Sequence, residues 1–128
     1  MKELMINNKL VIGMVHFPAL PGSSSFDDDS DLSKTLNSVS NDLESLQQGG
    51  IDAIMFGNEG DRPYSLKASN STLAAMAYVI GRVKQNIKVP FGVNFLWDAY
   101  ATVALGSVTN ADFAREVFTG VYDSDMGL

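Results

Sequence analysis

The sequence is 128 residues long, 45% hydrophobic and 19% charged, a globular composition with enough apolar residues for one core. A formal net charge of −6, with no Lys/Arg run to offset it locally, makes nucleic acid an unsuitable partner. The absence of cysteine excludes disulfides, thiolate catalysis and zinc–thiolate sites, and it fits a cytosolic, that is cytoplasmic, chain.

The apolar run near the start, 10–15 (LVIGMV), is too short to cross a membrane and no small-residue cleavage site follows it. No secretion signal is expected, and any membrane association would be peripheral, through a surface patch or a partner. The same run reads as a first strand buried on both faces, and 52–56 (DAIMF) and 91–96 (FGVNFL) read likewise. A weaker fourth run, 113–118 (FAREVF), is interrupted by Arg115 and Glu116. Between the first two, LSKTLNSVSNDLESLQQGG places Leu32, Leu36, Val39, Leu43 and Leu46 on one helical stripe. Ser30 or Asp31 can cap that helix, and Gly49 and Gly50 end it. Between the second and third strands Leu73, Met76, Ala77, Ile80, Val83 and Ile87 repeat the pattern, with Ser69 or Ser71 as cap and Pro90 closing the unit. A shorter helix over about 99–108 follows the third strand. The acidic run 27–31 (DDDSD) leads into the first helix, where it caps and is solvated, or alternatively binds a metal.

Strands alternating with helices long enough to return the chain predict an α/β fold with a parallel sheet. The expected architecture is a parallel (β/α) barrel of TIM type, of which only the first four β/α units are present. A closed barrel needs eight strands and roughly 250 residues. The whole span 1–128 is therefore expected to be the N-terminal half of a single (β/α)8 barrel domain, truncated and inactive alone. Assembly into oligomers is left open.

In such a barrel the functional face lies at the carboxyl ends of the strands. After the first strand comes His16; after the second, in GNEGDRPY, come Asn58, Glu59, Asp61 and Arg62; at the third stand Asn94 and Asp98; at the fourth come Arg115, Glu116, Thr119, Asp123 and Asp125. His16 titrates near neutrality and suits proton transfer at a carbonyl or phosphate ester, or else it simply packs and hydrogen-bonds. Glu59 and Asp61 could act as an acid/base pair or hold Mg²⁺, the one cofactor considered; otherwise GNEGDRP is an ordinary turn. Asn94, a polar amide in an apolar strand, needs a partner, either a ligand or a neighbouring loop. Arg115 and Glu116 would point to opposite faces of a strand, so Arg115 could clamp a carboxylate or phosphate or close an internal salt bridge. Trp97 and Tyr64 read as packing aromatics ahead of stacking platforms. Walker, G-x-G-x-x-G, H-E-x-x-H and G-x-S-x-G motifs are absent.

Four stretches taken together, VIGMVHFPALPGS, GGIDAIMFGNEGDRPY, VPFGVNFLWDA and ADFAREVFTGVYDSDMG, resemble the BtpA/SgcQ family. The resemblance implies a barrel like those that bind ribulose phosphate, in proteins that continue well past residue 128. Matching positions are His16, Pro18 and Gly22, then Asn58, Gly60, Asp61 and Pro63, then Gly92, Val93 and Asn94, then Arg115, Thr119, Gly120, Asp125 and Gly127. Trp97–Asp98–Ala99 stands where many members carry R-N-D, and Glu116 directly follows Arg115 where an apolar residue is common.

For function the resemblance implies one of two roles. The first is an enzyme-type barrel, of lyase, isomerase or hydrolase kind, that binds or transforms a small phosphorylated sugar or nucleoside-like metabolite. His16, Glu59 and Asp61 would be its catalytic groups, and Asn58, Asn94, Asp98, Arg115, Glu116 and Asp125 its substrate contacts, with no resident metal assigned. The second is a non-catalytic factor in the biogenesis and stabilisation of a membrane complex, as the family's founding member is for photosystem I.

Overall fold

The structure, a computed structural model, describes residues 9–27 and 31–118. Its elements run β1 (Ile12–His16), α1 (Leu32–Gln48), β2 (Ala53–Gly57), α2 (Asn70–Val83) with a 3₁₀ turn at Lys84–Asn86, β3 (Phe91–Asn94), α3 (Ala99–Thr109) and β4 (Phe113–Ala114). All strand pairs are parallel and their order is β1-β2-β3-β4. This is the expected α/β arrangement of the first β/α units of a TIM-type barrel, with each helix returning the chain for the next parallel strand.

The helices form where the apolar stripes require. Val39 and Leu43 of α1 and Met76, Val79, Ile80 and Val83 of α2 are buried against the sheet. Asp31 supplies the cap of α1 by accepting from the Ser33 N–H at 2.9 Å, and Ser69 caps α2 by accepting from the Thr72 N–H at 3.1 Å. Gly50, at φ 77°, takes the left-handed position just past α1. Strand residues Val15, Ile54, Phe56, Phe91 and Val93 join these helices in one core, with Phe17, Phe56 and Phe91 edge to face at 6.1 and 5.9 Å.

Strand limits differ from expectation at the weak end. β4 stops at Ala114 rather than 118, because its partner β3 turns away after Asn94 and leaves only the Arg115 N–H to reach Val93 O, at 3.2 Å. The opposite-faces argument for Arg115 and Glu116 therefore does not apply: neither lies in a strand.

At the amino ends of the strands a small device recurs. Asp52, just before β2, accepts from the Val11 N–H just before β1 at 2.8 Å; Asp112, just before β4, accepts from the Phe91 N–H that opens β3 at 2.9 Å. Between β2 and β3 the corresponding place is held by Pro90, whose carbonyl accepts from the Ile54 N–H at 3.0 Å.

Candidate functional site

Side chains alternate across a strand, so the residues that do not join the helix-side core face the other way. Those are Ile12, Met14 and His16 on β1, Ala53, Met55 and Gly57 on β2, Gly92 and Asn94 on β3, and Phe113 on β4. The register aligns His16 with Gly57 and Gly57 with Asn94, which makes the last row of this face. One row below, Phe113 lays its ring over Gly92, where any Cβ would overlap it. In the last row Gly57 leaves a gap between its neighbours. A Cβ placed on it would lie 3.7 Å from Met14 Cε, 3.9 Å from His16 Cδ2 and 4.0 Å from Asn94 Oδ1, ordinary contact distances, so His16 and Asn94 flank one small notch with the Met14 methyl beside it.

Asn94 is 4% exposed, and both protons of its carboxamide nitrogen are used. Nδ2 donates to Arg115 O and to Glu116 Oε2, both at 2.7 Å. The loop after β4 is thus the partner that the buried amide requires, while Oδ1 is the atom turned toward the notch. Glu116 is held further by its Oε1, which accepts from the Val117 N–H at 2.9 Å. Arg115 is exposed, and it is its carbonyl rather than its guanidinium that meets Asn94.

The remaining polar residues tie the loops above the strands to one another. Asp61 Oδ1 accepts from the Leu20 N–H at 2.8 Å, joining the β2–α2 loop to the β1–α1 loop. Asn58 Nδ2 donates to Asp61 Oδ2 at 3.4 Å, and Asn58 Oδ1 accepts from the Leu96 N–H at 2.8 Å, reaching the β3–α3 loop. Asp98 completes the circuit. It caps α3 by accepting from the Ala101 N–H at 2.9 Å and returns to the β2–α2 loop by accepting from the Ala68 N–H at 2.8 Å. These three side chains are all buried, and each meets a backbone donor that would otherwise be costly to leave alone. Gly60 lets the first two loops touch: a Cβ there would run into the backbone of Pro18 and Ala19. Burial pushes the Asp61 carboxyl above the ordinary carboxylate range, against the opposing hydrogen bonds from Leu20, Asn58 and Ser23.

Glu59 is placed differently. Its carboxylate pairs with Arg62 on the loop surface, and Arg62 Nε also donates to Glu59 O at 3.3 Å and to the Tyr64 hydroxyl at 3.2 Å. Neither Glu59 nor Asp61 hydrogen-bonds His16, and the two carboxylates turn to different partners. Among the described residues no three His, Asp or Glu side chains gather in a way that could hold a metal ion. Tyr64 packs under the Arg62 guanidinium at 5.7 Å, and Trp97 sits at φ 71° in the turn before α3. Asp125, with Thr119, Asp123 and positions 28–30 of the acidic run, Ser30 among them, lies outside the described residues.

Sequence reasoning selected no residue of a polar cavity of about 450 Å³ beside this circuit other than Asn58 and Asp61 as functional groups. Its further walls come from Ser23, Ser65, Lys67, Phe95 and the start of α2. The serine-rich run GSSS and the hydroxyls around α2 were the available signal, but scattered serines read first as caps and turns.

No solved structure matches the chain. Among known proteins it is 46% identical over its whole length to the putative sgc region protein SgcQ of Escherichia coli K12, covering 48% of that protein. It is 37% identical to an uncharacterized protein of Pyrococcus horikoshii, over 98% of this chain and 48% of that one. It is 31% identical to the photosystem I biogenesis protein BtpA of Synechocystis, over 92% of this chain and 42% of that one. The chain spans about half the length of the curated relatives it matches. The BtpA family model matches residues 7–128, so the stretches that carry the strand-end circuit lie inside one continuous match and the chain belongs to the BtpA family.

Proposed function

We propose that this chain forms the first four units of a single (β/α)8 barrel domain, and that the longer protein binds or transforms a small phosphorylated sugar or nucleoside-like metabolite at the carboxyl ends of the strands. The observation that carries this reading is the notch at Gly57, flanked by an imidazole and a carboxamide oxygen on the face turned away from the helices. Convergent polar groups on a rigid sheet, at the end where such barrels keep their sites, are the usual signature of a ligand pocket. In this reading Asn94, oriented by Glu116 and by the carbonyl of Arg115, presents Oδ1 to a ligand hydroxyl. His16 exchanges a proton there, the Arg115 guanidinium meets the anionic group, and Asp61, Asn58 and Asp98 hold the loops in place around the ligand.

Thermal unfolding of a full-length version with sugar phosphates tests it. Stabilisation of about 2.7 kcal/mol is expected at a hundredfold excess over the dissociation constant. Gly57→Leu, which fills the notch, and Asn94→Ala should each remove the stabilisation. No shift with any compound, together with unaltered function of Asn94→Ala, sinks the reading.

A second role has one observation in its favour. Leu66 of the β2–α2 loop and Tyr100 and Val103 of α3 are apolar side chains 64, 91 and 55% exposed, and one relative bears the name of a photosystem I biogenesis protein. Among the described residues no helix is long and apolar enough to cross a membrane, so contact with a membrane complex would be peripheral. Recovery of a partner by pull-down that survives His16→Ala and Asn94→Ala supports this role. Loss of the partner in those variants returns the argument to the pocket.

A further inference from the structure

We propose that the polar cavity between the β1–α1 loop and the β2–α2 loop is a second binding site, which takes the hydroxyl groups of an uncharged polyol such as a sugar ring. Asn58 and Phe95, which line it, directly follow Gly57 and Asn94. Phe95 belongs to the helix-side core and Asn58 is tied to Leu96 and Asp61, so the cavity shares none of the residues that form the notch. The two sites are neighbours separated by the strand ends. Among the described residues the cavity's lining falls between Gly22 and Phe95, whereas the notch faces a space that further strands would enclose.

The lining selects the ligand class. Its volume, about 450 Å³, is within the range of small-molecule sites. Its polar groups are the carboxyl of Asp61, the carboxamide of Asn58, the hydroxyls of Ser23 and Ser65 and the ammonium of Lys67, beside an apolar wall at Phe95. Hydroxyl groups both donate and accept, and a carboxyl hydrogen-bonded to a carboxamide, with hydroxyls and a lysine elsewhere in the lining, offers a polyol both kinds of partner. Asp61 is 6% exposed and has donors from Leu20, Asn58 and Ser23, which leaves acceptor capacity for one more hydrogen bond from a ligand hydroxyl.

Charged ligands fit less well. The amino end of α2 would ordinarily favour an anion, but here it is covered. Ser69 Oγ already accepts from the Thr72 N–H, Thr72 Oγ1 donates to Pro21 O at 3.0 Å, and Gly22 packs against the Ser69 and Ser71 hydroxyls. A phosphate would meet a carbonyl and a buried carboxyl, with a single exposed lysine to offset them. A divalent cation would find one carboxylate.

Saturation-transfer NMR on a full-length version, with D-ribose, D-glucose and myo-inositol at millimolar concentration and D-ribose 5-phosphate alongside, tests the site. At least one uncharged polyol should show transfer that is lost in Ser65→Leu, which fills the cavity from its exposed rim, and kept in Gly57→Leu, which fills the notch. Ser24→Leu, on the opposite wall, gives the same reading if Ser65→Leu folds poorly. No transfer with any polyol, transfer unchanged in the cavity-filling variants, or binding of the phosphorylated sugar alone overturns the proposal. Polyol binding lost in Gly57→Leu instead also overturns it, and assigns the ligand to the notch.

Discussion

Two glycines show how differently the same residue type is used. Gly60 lies where two loop backbones touch, so Gly60→Ala must part them, and overpacking of this kind costs about 1–3 kcal/mol. Gly81 lies within α2 with nothing near a would-be Cβ, so Gly81→Ala should raise stability by roughly 0.5–1 kcal/mol. Urea unfolding of the two variants checks both signs. Asp61 makes a pH prediction. Its folded-state pKa is raised above 3.8 by burial, so the folded form holds the proton more tightly than the unfolded chain. That contribution is complete below the unfolded value and is lost as pH rises through the raised one. Across that window the wild-type chain should lose stability relative to Asp61→Asn, measured as urea midpoints at stepped pH; the opposite slope would mean that the Leu20, Asn58 and Ser23 hydrogen bonds outweigh desolvation. At this scale the legibility of the sequence followed chemistry. Asn94 stood out because an amide in an apolar strand demands a partner, and a partner was found. Gly57 did not, because a gap is made by neighbours and carries no group of its own.

Among elements, Asp98 does the work of a cap and a tie at once. Asp98→Ala removes the α3 cap and orphans the Ala68 N–H, at a combined cost of about 1–3 kcal/mol. Hydrogen exchange should then show Ala68 losing protection, while the β1–β2 ladder keeps its own; unchanged exchange at Ala68 would mean that the tie contributes little. The helices and the first three strands were legible because buried stripes and apolar runs have fixed periods. Choosing Asp31 over Ser30 and Ser69 over Ser71 as caps was beyond the sequence, since each is a favoured cap residue and only the position of the first helical turn decides between them. The short β4 was also hidden: its length is set by where β3 turns away, a fact about the neighbour. The loop circuit was read as a set of chemical groups, but which group meets which backbone donor depends on loops distant in sequence.

For the molecule as a whole, the sheet face opposite the helices carries Ile12, 43% exposed, beside Met14, with Val11 60% exposed at the β1 edge. Apolar surface and unpaired strand edges of this kind associate in water. Light scattering on the 128-residue chain should therefore show association, and a well-folded monomer with cooperative unfolding would count against the half-barrel reading. The family was legible because its motifs sit at strand ends in order and spacing; the chemistry of the proposed pocket was not, because the loops of four strands present only some of the groups that the proposed barrel would bring together. The aspartates at the other end of the strands have a consequence of another kind. Asp52 fastens β2 to β1 and Asp112 fastens β4 to β3 by the same stitch, while Pro90 occupies the place between them. Alanine in place of either aspartate would therefore leave one N–H at a strand entrance without its acceptor, while the β2–β3 pairing, which uses a backbone carbonyl there, would be untouched.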